Sequence, residues 1–260
     1  MNLADLTGWA FDLDGVIWAG RELLPGAAEL VAALRRANRR VVFLTNNSTS
    51  TRAMLIERLT SHGIPAEPRE IVCTVDAAAE ILLERFGPVR VIAMGIDALG
   101  QSMEAAGHTV VTEADEAEAV VLGLDPALNF DRLTTVCRAV ARGVPYFTLN
   151  VDARRPTEGG TWIPGLGAVV AAVEYVTGRY PEVIGKPSPL LFEAALRHLE
   201  TDPAESVMVG DNPHTDITGA LSMGMWTVLV GGAEGGPEPH LRVANLAELL
   251  ALWQTQFSSR

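Results

Sequence analysis

Apolar residues in this chain come in short runs, separated by stretches in which they recur every three to four positions. Runs at 8–11, 41–44, 71–73, 206–209 and 226–230 have the length and composition of buried strands, and amphipathic segments fill most of the intervals. That alternation predicts a parallel sheet covered on both faces by helices, an α/β fold. Pro25 and Gly26 open a predicted helix that runs to about residue 38, and Ser48 to Ser50 can cap another that stops at Gly63. Further helices are predicted over 76–85, 130–142, 168–177, 189–199 and 216–223. Gly87 and Pro88 interrupt the pattern, and a second alternation then begins at Val89, with strands at 109–111, 119–122 and 145–149. The stretch 150–167, rich in Gly, Pro and Thr, predicts a loop. The simplest organisation is a discontinuous core, residues 1–87 and 181–260, carrying an inserted domain over 88–180.

Charge narrows the partners. The 20 basic and 32 acidic residues leave a net charge of −12, which argues against a nucleic-acid or anionic-membrane surface. An acidic protein also repels phosphorylated ligands, so any phosphate site needs a local positive centre, either a lysine or a metal. Cys73 and Cys137 lie far apart without a metal-binding spacing and read as reduced core residues. The amino terminus has no basic segment followed by an apolar stretch, and no apolar run approaches bilayer length. No membrane partner and a cytoplasmic location are therefore expected.

Candidate chemistry sits in four patches, and all but the lysine one directly follow an apolar run. They are Asp12-Leu13-Asp14-Gly15, Thr45-Asn46-Asn47, Gly185-Lys186-Pro187, and Gly210-Asp211-Asn212 with Asp216 five residues beyond Asp211. Open α/β sheets bind ligands at the carboxyl ends of their strands. Asp12 ends a buried strand, where an unpaired carboxylate is costly, so it needs a cation or a reaction. A carboxylate there can attack phosphorus. Asp14, two residues on, can face the same pocket and serve as general acid and base. Thr45, Asn46 and Asn47 offer donors for phosphate oxygens, and Lys186 a fixed positive charge. Asp12, the Asp14 carbonyl and Asp211 can make an open Mg2+ site, with Asp216 orienting its surroundings or holding Lys186.

In order and spacing these residues resemble the four motifs of the haloacid dehalogenase-like (HAD) hydrolase superfamily. The resemblance implies a nucleophile at Asp12, a general acid/base at Asp14, phosphate-binding groups at Thr45 and Lys186, and a metal ligand at Asp211. An insertion between the second and third motifs, with Gly185-Lys186-Pro187-Ser188-Pro189 and the 159–167 loop, is similar to the NagD-like, para-nitrophenyl-phosphatase-like subfamily. That implies a Rossmann-like doubly wound parallel sheet core with an inserted smaller α/β cap domain. The cap loop at 150–167, with Asp152, Arg154, Arg155 and Trp162, would then set specificity. The implied activity is a Mg2+-dependent phosphatase acting on a small phosphorylated metabolite through an aspartyl-phosphate, and the exposed cap face could pair two subunits as a homodimer. A phosphomutase is the close enzymatic rival. A signalling receiver shares the acidic cluster, Thr and Lys, but is much shorter.

Overall fold

Strand β1 (Gly8–Phe11) is buried along its whole length, as expected of an interior strand covered on both faces. In the computed structural model, which describes residues 2–156 and 161–258, the chain continues through a short antiparallel pair, β2 (Trp18–Ala19) and β3 (Glu22–Leu23). Next come α1 (Ala27–Arg36), β4 (Arg40–Thr45), α2 (Arg52–Ser61) and β5 (Ile71–Cys73). The middle of the chain forms α3 (Thr74–Phe86), β6 (Arg90–Met94), α4 (Asp97–Ala105), β7 (Thr109–Val110), β8 (Ala119–Leu122), α5 (Phe130–Ala141) and β9 (Tyr146–Thr148). It continues with β10 (Arg154–Pro156), β11 (Trp162–Pro164), α6 (Leu166–Thr177) and β12 (Glu182–Val183). The last part holds α7 (Pro189–Leu199), β13 (Ser206–Gly210), a π-helical turn at Pro213–Ile217, α8 (Thr218–Ser222), β14 (Trp226–Val230), β15 (Leu241–Val243) and α9 (Leu246–Ser258).

These elements form two compact units. The first comprises the chain up to Thr45, Arg52–Val72, and everything from Lys186 onward. Its six-stranded sheet has the order β15-β14-β13-β1-β4-β5. From β1 the chain builds outward through β4 and β5; on its return it builds β13, β14 and β15 on the other side. The reversal falls between β1 and β13, which pair in parallel with Phe11 opposite Val209. At such a switch point the flanking connections diverge and leave a crevice at the carboxyl ends of the strands. Alternation puts Trp9 and Phe11 on one face of β1, and the parallel register sets Phe43 of β4 beside Phe11. Their ring centroids lie 6.1 and 6.3 Å apart, forming an aromatic row beneath the strand ends. Helix α7 packs on β1 and β4, and α1 packs on β4 and α9.

The second unit comprises Asn46–Thr51 and Cys73–Gly185. Its five-stranded sheet, in the order β12-β9-β8-β6-β7, is parallel throughout. The helices pair as α3 with α4 and α5 with α6. Cys73 and Cys137 are both buried and free. No helix among the described residues is long and apolar enough to cross a membrane.

Several elements depart from the pattern-based expectation. Residues 73–87, expected with the core, group with the second unit because α3 packs against α4. The helix expected from Ser48–Ser50 begins at Arg52, since Asn47 Oδ1 accepts from the N–H of Thr49 at 2.9 Å and closes a turn instead. The predicted loop 150–167 contains the antiparallel pair β10–β11, with Arg155 opposite Ile163; its residues 157–160 lie outside the described residues. The helix expected to start at Asp216 is preceded by the π-helical turn, whose entry is capped by Asn212 Oδ1 accepting from His214 and Thr215.

Candidate active site

The N–H of Asp12 donates to the carbonyl of Val209 at 2.9 Å, so the pairing of β1 with β13 continues one residue past the strand and fixes the backbone of the acid. The Asp12 side chain is buried there, as is Lys186. Lys186 Nζ lies 2.6 Å from Asp12 Oδ1 and 2.7 Å from Asp216 Oδ1, and donates to the Leu44 carbonyl at 3.2 Å. One ammonium therefore spends its donors on the ends of β1 and β4 and on the turn after β13.

Asp216 is held from its other side. Its Oδ2 accepts the backbone N–H groups of Asp211 and Asn212, each at 3.1 Å. Two glycines make this packing fit. A Cβ on Gly210 would stand 2.3 Å from the Asp216 Cβ, and a Cβ on Gly15 would stand 2.1 Å from Asp211 Oδ2. Gly15 also has φ +93°, a conformation that other residues adopt only under strain. Carboxylate oxygens of Asp12, Asp211 and Asp216 consequently lie within 4.8 Å of one another.

The charges do not balance. Three carboxylates around one ammonium leave an excess of two negative charges, the amount that one divalent cation neutralises. The donors are all carboxylate oxygens, which suits a hard cation such as Mg2+. Asp216 is already engaged by Lys186 and by backbone N–H groups, so Asp12 and Asp211 are the better-placed ligands. The proton affinities follow the same imbalance. Burial pushes the Asp12 carboxyl up from 3.8 to about 7; Lys186 pulls it down, while Asp216 and Asp211 add repulsion. Asp211 is also raised, first by burial and then by Asp216. Burial opposes the charged form of Lys186, but Asp12 and Asp216 outweigh it and hold the lysine above its ordinary range.

The remaining predicted residues are placed differently. Leu13 is buried and Asp14 is exposed. The Asp14 carboxylate is not part of the acidic cluster; its Oδ1 accepts from the indole Nε1 of Trp18 at 2.9 Å. Trp18 did not emerge from the sequence; the available signal was an indole donor four residues after an acid. Thr45 is buried at the carboxyl end of β4. Asn46 and Asn47 belong to the segment grouped with the second unit. There the Asn46 carbonyl accepts from Asn150 Nδ2 at 3.0 Å, and the Asn47 carbonyl accepts from Thr74 Oγ1 at 3.1 Å. Within that unit the Arg154 guanidinium lies over the Trp162 ring, 4.3 Å from its centroid, and Arg155 donates to Thr49 Oγ1 at 3.5 Å. The Asp152 carbonyl accepts from the N–H of Gly167 at 3.0 Å.

Comparison with known proteins places this arrangement in context. Residues 9–109 match the family model described as haloacid dehalogenase-like hydrolase, and residues 183–249 match a HAD-hydrolase-like model. The chain is 34% identical over 223 residues to the 5'-nucleotidase YutF of Bacillus subtilis strain 168, covering 86% of each protein. It is 34% identical over 254 residues to glycerol-3-phosphate phosphatase of Homo sapiens, covering 87% of this chain and 79% of that one. In structure it resembles a p-nitrophenyl phosphatase from Archaeoglobus fulgidus with a TM-score of 0.90 and 31% identity, over 95% of this chain and 99% of the other.

Replacing Lys186 by Met should expose the imbalance. Removing the cation from a buried ion pair costs about 3–5 kcal/mol. A carboxyl with a raised folded-state pKa favours the fold fully below 3.8 and loses that contribution as pH rises through about 7. Urea denaturation of Lys186→Met with chelator present should therefore show a large loss of stability at pH 8 and a smaller one at pH 5, where protons replace the missing ammonium. A loss that did not depend on pH would contradict this electrostatic account.

Proposed function

This chain belongs to the haloacid dehalogenase-like hydrolase family, and we propose that it is a Mg2+-dependent phosphatase that hydrolyses small phosphorylated metabolites through a phosphorylated Asp12. The observation that carries the reading is the cluster at the β1/β13 switch point, where Asp12, Asp211 and Asp216 share one buried lysine and lack two positive charges. Its relatives carry the names of a nucleotidase, a glycerol-3-phosphate phosphatase and acid sugar phosphatases, which supports a phosphomonoester as the substrate class.

Asp12 acts as nucleophile: a carboxylate oxygen bonds to phosphorus as the ester O–P bond breaks, and Asp14 protonates the leaving oxygen. Water then attacks phosphorus, Asp14 takes its proton, and Asp12 is released as the carboxylate. Lys186 offsets the charge of nucleophile and phosphate together and keeps Asp12 in place. Thr45, Asn46 and Asn47 supply donors to the phosphate oxygens. Asp12 and Asp211, with the main-chain carbonyl of Asp14, would hold the ion, and Asp216 keeps the Asp211 turn and Lys186 aligned. The bound ion supplies the positive charge that offsets the phosphoryl group as it transfers. Residues 88–180 act as the cap domain, and Asp152, Arg154, Arg155 and Trp162 select the substrate's leaving group.

Asp12→Asn keeps the shape of the side chain and removes its nucleophilicity. Turnover of phosphomonoesters should fall by at least about a thousandfold, with the circular dichroism spectrum unchanged. Near-normal rates would end the nucleophile assignment. Protons and metal should also compete for Asp12: below about pH 7 its carboxyl takes a proton, so divalent affinity should fall as pH drops from 7 to 5. Calorimetric titration with Mg2+ checks this, and an affinity unchanged across that range would remove Asp12 from the ligand set.

A further inference from the structure

Trp18 is buried without remainder, yet it lies in a two-residue strand beside the polar turn that carries Asp14. Its backbone is woven into that turn: the N–H of Gly15 donates to the Trp18 carbonyl at 2.8 Å, and the Trp18 N–H donates to Leu13 O at 3.1 Å. The ring is fixed as well. The Arg58 guanidinium stacks over it, 3.8 Å from the centroid, and itself donates to the Gly20 carbonyl. The His62 ring lies 6.1 Å away on a tilted plane. From this held ring the indole N–H reaches Asp14 Oδ1 at 2.9 Å.

Asp14 is exposed, and an exposed carboxylate ordinarily samples several rotamers. An indole nitrogen can only donate, so the oxygen it faces must accept. A carbonyl oxygen accepts better than a hydroxyl oxygen, so the indole favours the form of protonated Asp14 that carries its proton on Oδ2.

Resting on the reading of Asp14 as the acid and base, we propose that Trp18 is a positioning residue for both proton transfers: it holds Asp14 so that Oδ2 is the atom that exchanges protons. In the first step an Asp12 oxygen bonds to phosphorus. The ester O–P bond breaks with its electron pair going to the leaving oxygen, and the Oδ2 proton passes to that oxygen. In the second step the water oxygen bonds to phosphorus and its proton returns to Oδ2. The acyl-phosphate O–P bond then breaks toward Asp12. The ring's burial alone would be satisfied by any aromatic residue; the N–H is what distinguishes tryptophan here.

The test compares two esters under kcat/KM, which reports events up to the first phosphoryl transfer. Glycerol phosphate releases an alkoxide that needs a proton, whereas 4-nitrophenyl phosphate releases a phenolate that leaves without one. Trp18→Phe keeps a ring under Arg58 and deletes the donor. It should lower kcat/KM for glycerol phosphate about tenfold more than for 4-nitrophenyl phosphate, chiefly through kcat, which is less than the roughly hundredfold or more that general acid catalysis as a whole supplies. In an Asp14→Asn background the same substitution should leave the ratio between the esters unmoved. Equal losses on both esters, no loss on either, or a ratio that still shifts in the Asp14→Asn background would overturn the proposal. Asp14→Asn alone separates the two ideas: if it leaves the ratio unchanged, the acid/base reading fails and takes Trp18's role with it. The native chain gives an independent readout that does not depend on the folding of Trp18→Phe. The Trp18 indole N–H resonance should move upfield in Asp14→Ala, and an unmoved resonance would show that no such hydrogen bond exists.

Discussion

The buried ammonium of Lys186 joins three segments that are remote in sequence: the end of β1 through Asp12, the end of β4 through Leu44, and the turn after β13 through Asp216. Because a buried charge without partners is prohibitively costly, the lysine forces these segments into register; because it is a single charge among three acids, it cannot satisfy them. Stability and reactivity thus conflict at one point. Burial and the unmet demand for positive charge raise the proton affinity of Asp12, and the same demand makes the site receptive to a divalent cation.

The sheet decides where that conflict is located. The reversal of strand order between β1 and β13 puts two acid-bearing strand ends side by side, and the parallel register brings Asp12 against the backbone of Val209. Beneath them the Trp9–Phe11–Phe43 row gives the strand ends a rigid floor. Packing of the aromatic row and the absence of Cβ atoms at Gly15 and Gly210 together set the spacing of the acids. A loosened floor or a filled glycine would change that spacing without touching a charged residue.

Asp12 and Asp211 each followed an apolar run, so burial logic alone could locate them, and the Gly-Lys-Pro patch supplied the only cation among the four patches. Residues whose roles depend on side-chain hydrogen bonds were harder to read. Asp216 was expected on the first turn of a helix, orienting its surroundings or holding Lys186. Lys186 does lie 2.7 Å from its Oδ1, but the hydrogen bond of Asp216 to the Asp211 N–H, beside a π-helical turn capped by Asn212, was not legible. Trp18 was not singled out at all, because its hydrogen bond to Asp14 exists only in the folded turn. The β10–β11 pair escaped notice because Gly, Pro and Thr mark turns more strongly than they mark strands. Strand periodicity reads burial well, whereas hydrogen-bond partners are set by tertiary placement.

A single-turnover reaction, quenched in acid and followed by mass spectrometry of the peptides, tests the central claim most directly. With a limiting phosphomonoester and Mg2+ present, one phosphoryl group should appear on the peptide carrying Asp12 and then decay as inorganic phosphate accumulates in water. Phosphate released with no modified peptide, a phosphoryl group on another residue, or its return to a substrate isomer would contradict the account.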